Sequence, residues 1–328
     1  MKREVARKIV NLLTAIVGRQ RMVRGLRFVT NTVRFDGPNQ MASNGEAYVQ
    51  RCVLTDPNPI VFDVGCHFGE WSRQLLDLGE VPSGVKPMPE AARLDHRPRN
   101  SLAKIWFAML NQRRRQNDRR AAKRPAENSQ SSTDTNPSRN TPIIHAFEPS
   151  RFSYARTRDS LAGRASVHNI ALSDFVDTVE LGIVHEGAGS NSLVPFTDVN
   201  RRGSTEIVTV STIDQFCNEN GVQSIDLCKI DAEGHDLAVI RGASRMLEEN
   251  KIGMIQFEYN SRWIDARCFL LDAFVLLEGF DFRLGKVTPA GIEMYDRWDP
   301  ELETFREANF LAVQPEWVAR LPTVSWWG

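Results

Sequence analysis

The sequence predicts an α/β domain in which a doubly wound, mostly parallel sheet of about seven strands is flanked by helices on both faces. Short apolar runs at 60–64, 143–147 and 225–230 are typical of strands buried inside a parallel sheet. Helical patterns follow these runs at about 69–79, 151–161 and 237–248, and the alternating stretches 178–184 and 206–210 predict an antiparallel pair. We also expect strands at 252–257, 280–286 and 310–314, with Tyr295 in the loop between the last two. The first run also leads through a glycine-containing loop into a helix, which is the kind of turn where such sheets bind nucleotides.

The glycine loop is the stretch around which this prediction is built. Gly65 and Gly69 allow a sharp turn and a close approach of a ligand to the backbone. The helix that begins near Glu70 offers unpaired backbone N–H groups. The glycines are four residues apart and the third glycine of the dinucleotide-binding pattern is absent. We expect Asp63 to project into the loop, where an acid suits a ligand with an amino group better than a pyrophosphate.

An acid also follows the second predicted strand. Glu148 lies 79 residues after Gly69, and removing the 60-residue insertion at 82–141 reduces this gap to 19 residues. A strand-end acid ~20 residues after the glycine loop is where nucleotide-binding sheets hold ribose hydroxyls. We therefore expect Glu148 to bind ribose. The alternative is an acid at the start of the next helix, which Ser150 would cap.

Three motifs in this order resemble the FkbM-type family of class I S-adenosylmethionine (SAM) methyltransferases. They are Asp-Val-Gly-x-x-x-Gly at 63–69, Ala-Phe-Glu-Pro at 146–149 and Lys-Ile-Asp-Ala-Glu-Gly-His-Asp at 229–236. The resemblance covers about 60–81 and 142–315. It implies a Rossmann-like sheet with SAM across the carboxyl ends of the first four strands. His67 stands where the family usually has Asn, and since both residues tolerate unusual backbone angles we expect the loop to form.

The resemblance and the loop together predict the cofactor-binding residues. They are Asp63, Gly65, His67, Gly69 and Glu148, with Asn169 and Ser173 as further candidates. Asn169 and Ser173 belong to positions near adenine in such sheets, although turn formation explains them equally well. The glycine- and serine-rich stretch 186–193 is either a mobile loop near the acceptor or a long hairpin connection.

Three acids and an imidazole lie within six residues after the predicted strand 225–230: Asp231, Glu233, His235 and Asp236. Asp231 can orient the methionine ammonium of SAM or take a proton from an acceptor hydroxyl. His235 is the second candidate base because its free pKa is ~6.5, with a hydrogen-bonding role at a helix start as the alternative. We expect Glu258, after the next strand, to orient the acceptor. Asp231 and Glu233 are also candidate Mg²⁺ ligands.

The net charge of zero conceals an uneven distribution along the chain. Residues 1–34 and 82–141 each carry a net charge of +8, so the remainder carries −16. We predict four parts: a basic N-terminal helix and irregular lead-in at 1–58, a methyltransferase domain at 59–81 and 142–315, a basic and largely disordered insertion at 82–141, and a frayed tail at 316–328. The insertion is too polar to offset the entropy of ordering.

The N-terminal segment has the pattern of an amphipathic helix, and two locations are open for it. Apolar residues three and four apart within 2–29 predict an amphipathic helix with Lys and Arg on its opposite face. This helix either packs on the body or lies on an anionic membrane surface. No apolar run reaches the ~20 residues that span a bilayer. Five widely spaced cysteines predict free thiols and no structural zinc, which favours a cytoplasmic protein, with peripheral attachment at the inner membrane face as the further possibility.

The resemblance implies a SAM-dependent enzyme that methylates a hydroxyl of a glycan or a small secondary metabolite. One alternative is an RNA or DNA methyltransferase that uses the Arg-rich run of the insertion. Another is a SAM-binding, membrane-associated scaffold without catalysis. The Asn/Asp-Pro-Pro-aromatic motif of amino-directed DNA methyltransferases is absent, so we expect a small-molecule or glycan acceptor rather than nucleic acid.

Overall fold

The computed structural model describes residues 2–37, 41, 43–80, 140–198 and 203–324. Apart from residues 140 and 141, the predicted insertion 82–141 lies outside the described residues. The same is true of the last four residues of the predicted tail.

Twelve strands are present in the part of the chain that the structure describes. They are β1 (Ile60–Val64), β2 (Ile143–Phe147), β3 (Ser166–His168), β4 (Ala171–Leu172), β5 (Asp177–Ile183), β6 (Ser204–Ser211), β7 (Ile225–Ile230), β8 (Ile252–Tyr259), β9 (Arg283–Thr288), β10 (Gly291–Tyr295), β11 (Ala308–Val313) and β12 (Thr323–Val324). The described residues also form a short 3-10 helix, Pro300–Leu302, and eleven α-helices. These are α1 (Lys2–Val17), α2 (Arg19–Arg34), α3 (Glu46–Val53), α4 (Glu70–Glu80), α5 (Arg151–Leu161), α6 (Ile213–Asn220), α7 (Asp236–Arg241), α8 (Ser244–Glu248), α9 (Arg262–Asp265), α10 (Leu270–Glu278) and α11 (Pro315–Val318).

Nine of the described strands form one sheet, in the order β12-β10-β9-β11-β8-β7-β1-β2-β3. The five strands from β8 to β3 are parallel, whereas β11 pairs antiparallel with both β8 and β9, and β10 pairs antiparallel with β9. The prediction of a mostly parallel α/β sheet is confirmed. A separate sheet, β4-β6-β5, contains the antiparallel pair predicted around 178–210.

Helices cover both faces of the large sheet because its central strands are buried on both sides. In β1, Phe62 packs on the face covered by α6, α7 and α10, and Val61 packs on the opposite face with α3 and α4. Both side chains are fully buried. The doubly wound arrangement therefore follows from strands that bury both faces. It leaves the carboxyl ends of β1, β2 and β7 side by side.

The sheet has more strands than the approximately seven that were predicted. The prediction assigned Tyr295 to a loop, but it lies in β10, which forms a tight hairpin with β9. The predicted frayed tail contains α11, where Trp317 is buried, and β12, which pairs with β10. These corrections share one cause: short segments gain their order from a neighbouring strand or core, which a local pattern does not record.

Three other boundaries differ from the prediction. The lead-in contains helix α3, whose Val49 and Val53 are fully buried. The helix predicted at 237–248 is two helices, α7 and α8, because Gly242 lies against the carbonyl oxygen of Ser173. Glu258 lies inside β8, since that strand continues two residues beyond the predicted end.

The predicted N-terminal helix is two helices, α1 and α2, which are separated at Gly18 with φ of 87°. The end of α2 is fastened to the body: Lys286 donates to the Arg34 carbonyl oxygen at 2.7 Å and pairs with the buried Asp36. The N–H of Gly37 donates to the Glu307 carbonyl oxygen at 3.1 Å. No helix in the described ranges is both long enough and apolar enough to cross a membrane.

Candidate active site

The loop between β1 and α4 turns through left-handed backbone angles, with φ of 74° at Gly65, 50° at His67 and 76° at Gly69. A Cβ atom at Gly65 would lie 1.9 Å from the carbonyl oxygen of Asp231, so only glycine fits where β1 and β7 end together. Asp231 itself donates its N–H to the Val64 carbonyl oxygen at 2.9 Å. The loop and the end of β7 are therefore one rigid unit.

Glu148 joins this loop to the end of β2. Its two carboxylate oxygens accept from the N–H groups of His67 at 3.0 Å and Ser150 at 2.9 Å. Burial raises the pKa of Glu148 to about 7, and these two hydrogen bonds oppose the rise. Each carboxylate oxygen can accept further hydrogen bonds, so the side chain retains capacity for ligand hydroxyls.

A cavity that opens to solvent lies beside the glycine loop; its empty space, counted together with the solvent at its mouth, is about 560 Å³. Its lining includes Gly65 and Glu148 from the strand ends, and the apolar side chains of Phe147 and Leu172. The stretch 186–193 contributes Ala188, Gly189, Asn191, Ser192 and Leu193. That stretch is held at both ends, because the His67 imidazole contacts the Gly187 carbonyl oxygen at 3.1 Å and Ser192 donates to the Glu233 carbonyl oxygen at 2.8 Å. It forms a wall of the cavity.

Asp63 and Asp231 are connected through the buried side chain of Lys229. The Lys229 ammonium lies 3.6 Å from an Asp63 carboxylate oxygen and 3.4 Å from one of Asp231. Burial lowers the pKa of Lys229, but the charges of Asp231, Asp63 and Glu46 outweigh burial and produce a net rise. The lysine is therefore a permanent cation between the strand ends.

Asp63 does not occupy the position that we predicted for it. Its side chain is fully buried, accepts from the Ser72 hydroxyl at 2.6 Å and is not among the residues that line the cavity. In a strand, neighbouring side chains point to opposite faces, and Asp63 points toward α4 and Lys229. It contributes to the site through Lys229.

Asp231 also belongs to an acidic cluster, which we define as Asp231, Glu233 and Glu258. One carboxylate oxygen of each lies within 4.8 Å of the others. Burial and the neighbouring carboxylates raise the pKa of Glu233 to about 8 and that of Glu258 well above its usual range. The geometry is compatible with a divalent cation, and Glu258 joins the two metal ligands predicted from the sequence.

Glu233 and Glu258 line an open groove, in which the empty space, counted together with adjoining solvent, is about 980 Å³. Its remaining walls come from the end of α2, at Asn31 and Gly37, from 260–262 and from 305–307. Residues of the turn 231–235 thus line both the cavity and the groove, and Asp231 is shared between the cavity and the acidic cluster.

His235 lines the cavity, and its Nε2 atom lies 2.8 Å from the Ser173 hydroxyl. Burial lowers the pKa of His235. Ser173 also donates to Asp174 at 3.2 Å. Asn169 donates to the carbonyl oxygens of Glu148 and Pro149, at 3.0 and 2.8 Å. Asn169 and Ser173 are absent from the cavity lining; Asn169 ties the end of β2 to residues after β3, and Ser173 contacts His235 from behind the lining.

The methyltransferase FkbM domain is the family whose model matches this chain, over residues 63–310. The chain belongs to the FkbM methyltransferase family. No curated protein matches it. A solved structure of methyltransferase FkbM from Methylobacillus flagellatus KT is 14% identical, with a TM-score of 0.38; the match covers 78% of this chain and 43% of that one. The chain thus spans less than half the length of that protein.

Sequence reasoning gave no role to two buried charges of this FkbM methyltransferase. Lys229 is part of the third motif, and a lysine near the end of a predicted buried strand was a usable signal. No comparable signal marked Glu46, because it lies alone in the lead-in. Its carboxylate accepts from Gln256 at 3.0 Å and from Asn309 at 2.7 Å, and burial raises its pKa to about 7. Only the folded chain brings it near Lys229.

Proposed function

We propose that this FkbM methyltransferase transfers a methyl group from SAM to a hydroxyl oxygen of a glycan or a small secondary metabolite. The observation that carries the proposal is the position of Asp231, which lines the cavity and also belongs to the acidic cluster at the groove. A donor held in the cavity and an acceptor held in the groove would meet at this carboxylate. Such an arrangement favours transfer by proximity and orientation.

The cavity residues fit SAM by their chemistry. The apolar side chains of Phe147, Ile170 and Leu172 suit an adenine ring, and Glu148 has unused acceptor capacity for ribose hydroxyls. Gly65 has no side chain, so a ligand can approach its backbone at the same wall of the cavity. When bound, SAM supplies a methyl group on a positively charged sulfur, which leaves readily. The chain must therefore align the acceptor and remove its proton.

Asp231 is the candidate base for that proton. Its side chain is 37% exposed, and it stands between the cavity and the groove. Burial and the neighbouring carboxylates raise the pKa of Glu233 to about 8, so this acid is mostly protonated at neutral pH and can donate a hydrogen bond to an acceptor oxygen. The same causes raise the pKa of Glu258. His235 is less suited, because it already contacts Ser173 and belongs to the cavity wall.

Calorimetric titration with SAM and with its demethylated product tests the proposal. Wild type should bind both, and Glu148→Ala should weaken binding by about 10- to 100-fold because a hydrogen bond to a charged group is worth about 1.5–3 kcal/mol. Glu180→Ala removes an exposed carboxylate from β5 and is the matched control. The proposal is wrong if folded wild type shows no binding at about 1 mM of either compound.

A further inference from the structure

The N-terminal helices expose an unusual amount of apolar surface. Among the described residues, twelve of the twenty exposed large hydrophobic side chains lie within 5–35. They are Val5, Ile9, Val10, Leu12, Leu13, Ile16, Val17, Val23, Leu26, Phe28, Val29 and Phe35. No residue of α2 is buried. Among the described residues, these apolar side chains of α1 and α2 are therefore exposed and do not pack on the body.

Four of the exposed apolar side chains form one stripe along α1. Ile9, Leu12, Leu13 and Ile16 are three and four residues apart, so they share a helix face, with exposed fractions from 42% to 72%. Glu4, Arg7 and Asn11 lie on the opposite face. In α2, Val23, Leu26 and Val29 repeat the same spacing. Each helix is thus apolar on one side and polar on the other.

The polar face is almost entirely basic. Arg7, Lys8, Arg19, Arg21, Arg24 and Arg27 are all exposed. Glu4 is the single acid within 1–34, and it lies 3.9 Å from Lys8. This segment therefore offers an apolar stripe flanked by a dense positive charge, while the rest of the chain outside the insertion is acidic.

We propose that α1 and α2 bind flat on the surface of an anionic lipid bilayer, with the apolar stripe inserted among the acyl chains and the arginines at the headgroups. This combination of faces is what such a surface accommodates. A nucleic acid would pair with the arginines but leave the stripe in water. A second copy of the segment would bring one charge of +8 against another.

Docking of these helices would hold the whole domain at the membrane. The last turn of α2 is tied to β9 through Asp36 and Lys286, and to residue 307 through Gly37. Asn31 and Gly37 also line the groove that contains Glu233 and Glu258. The membrane-binding segment and the groove are therefore neighbouring parts of one body, independently of which acceptor the groove takes.

Flotation of the full chain with lipid vesicles tests this proposal. Wild type should bind vesicles of phosphatidylcholine with about 30 mol % phosphatidylglycerol, and should bind pure phosphatidylcholine at least about tenfold more weakly. The double variant Leu12→Glu/Ile16→Glu should lose binding to the anionic vesicles by at least about tenfold. The matched control, Asn11→Glu/Ala15→Glu, adds the same two charges to the polar face of α1 and should retain most of the binding.

Three results would overturn the proposal. One is wild type that does not float with the anionic vesicles, and another is equal loss of binding in the two double variants, because charge alone would then explain it. The third result concerns oligomeric state, measured by light scattering. If wild type and the control variant are dimers and Leu12→Glu/Ile16→Glu is a monomer, the stripe joins two copies of the chain. Circular dichroism of each variant confirms that it is folded before comparison.

Discussion

The ammonium of Lys229 is buried at the point where β1 and β7 end, and it lies between the carboxylates of Asp63 and Asp231. One Asp63 carboxylate oxygen has no hydrogen-bond partner among the described residues, so its charge is balanced by Lys229 alone. A buried carboxylate without a counter-charge is strongly unfavourable. The lysine therefore stabilises the fold beneath the site and also positions Asp231.

We expect Lys229→Met to lower the free energy of unfolding by about 3–5 kcal/mol, because the variant leaves the Asp63 carboxylate buried without its partner. Urea denaturation measures this loss. The double variant Lys229→Met/Asp63→Asn should recover a large part of the stability, since it removes both charges. If the double variant is no more stable than the single one, the Asp63–Lys229 contact does not explain the loss.

If Glu148 binds the ribose of SAM as proposed, SAM binding should depend on pH. Its pKa is raised to about 7, and a carboxylate must be charged to accept well from ribose hydroxyls. At pH 8 most of the side chain is charged, whereas at pH 6 most is neutral. The affinity for SAM should therefore fall about tenfold from pH 8 to pH 6.

Calorimetry at pH 6, 7 and 8 measures this dependence. Glu148→Gln keeps the size of the side chain and removes its titration, so its affinity for SAM should be lower at pH 8 and should change less with pH. Parallel pH profiles for wild type and Glu148→Gln would assign the dependence to another group.

Among the elements, the turn from β1 to α4 determines the shape of the candidate site, because it lies against the end of β7. Gly65 has a positive φ and lies against the backbone of residue 231, whereas Gly163 has a similar φ of 79° and nothing within 4 Å of its Cβ position. An alanine would have the same backbone strain at both positions, but its methyl group would clash only at Gly65. The two glycines form a matched pair for separating strain from a clash.

Gly163→Ala should cost about 1–2 kcal/mol of stability, the ordinary cost of an L-residue in the left-handed region. Gly65→Ala should cost at least about 2 kcal/mol more, since the strand ends must move apart to admit the methyl group. Thermal denaturation and SAM titration of both variants compare them, and only Gly65→Ala should lose SAM binding. Similar stabilities for the two variants would show that the strand ends separate easily.

At the scale of the whole molecule, the residues before and after the insertion belong to one compact unit, 1–80 with 140–328. The Cβ position of Gly79 lies 2.8 Å from the carbonyl oxygen of Asn140, so the residues on either side of 81–139 are neighbours in space. A short linker can therefore join α4 to the start of β2 without moving either element.

We expect replacement of 81–139 by a six-residue Gly/Ser linker to preserve folding and SAM affinity. Stability should stay the same or rise slightly, because each halving of loop length lowers the closure cost by about 0.6 kcal/mol. Circular dichroism, thermal denaturation and calorimetry check these outcomes. A soluble, folded variant that no longer binds SAM would show that the insertion contributes to the site.

Local sequence patterns were sufficient for the central strands and for the loop. The predicted bounds of β1, β2, β7 and α5 agree with the structure, because buried strands and their helices carry continuous signals of their own. The patterns failed for α3, β10 and β12. Those elements are short, and their order comes from the side chains and strands against which they pack.

By itself the sequence determined that this chain is an α/β protein in which the glycine loop, Glu148 and Asp231 lie at one edge of the sheet. Strand periodicity and chain order determine which strand ends lie side by side. Tertiary structure alone decided that Asp63 faces Lys229, that Asn169 donates to the carbonyl oxygens of Glu148 and Pro149, and that Glu258 joins Asp231 and Glu233. It also decided that the N-terminal stripe is exposed. The reason is that side-chain partners come from distant parts of the chain, and only packing selects among them.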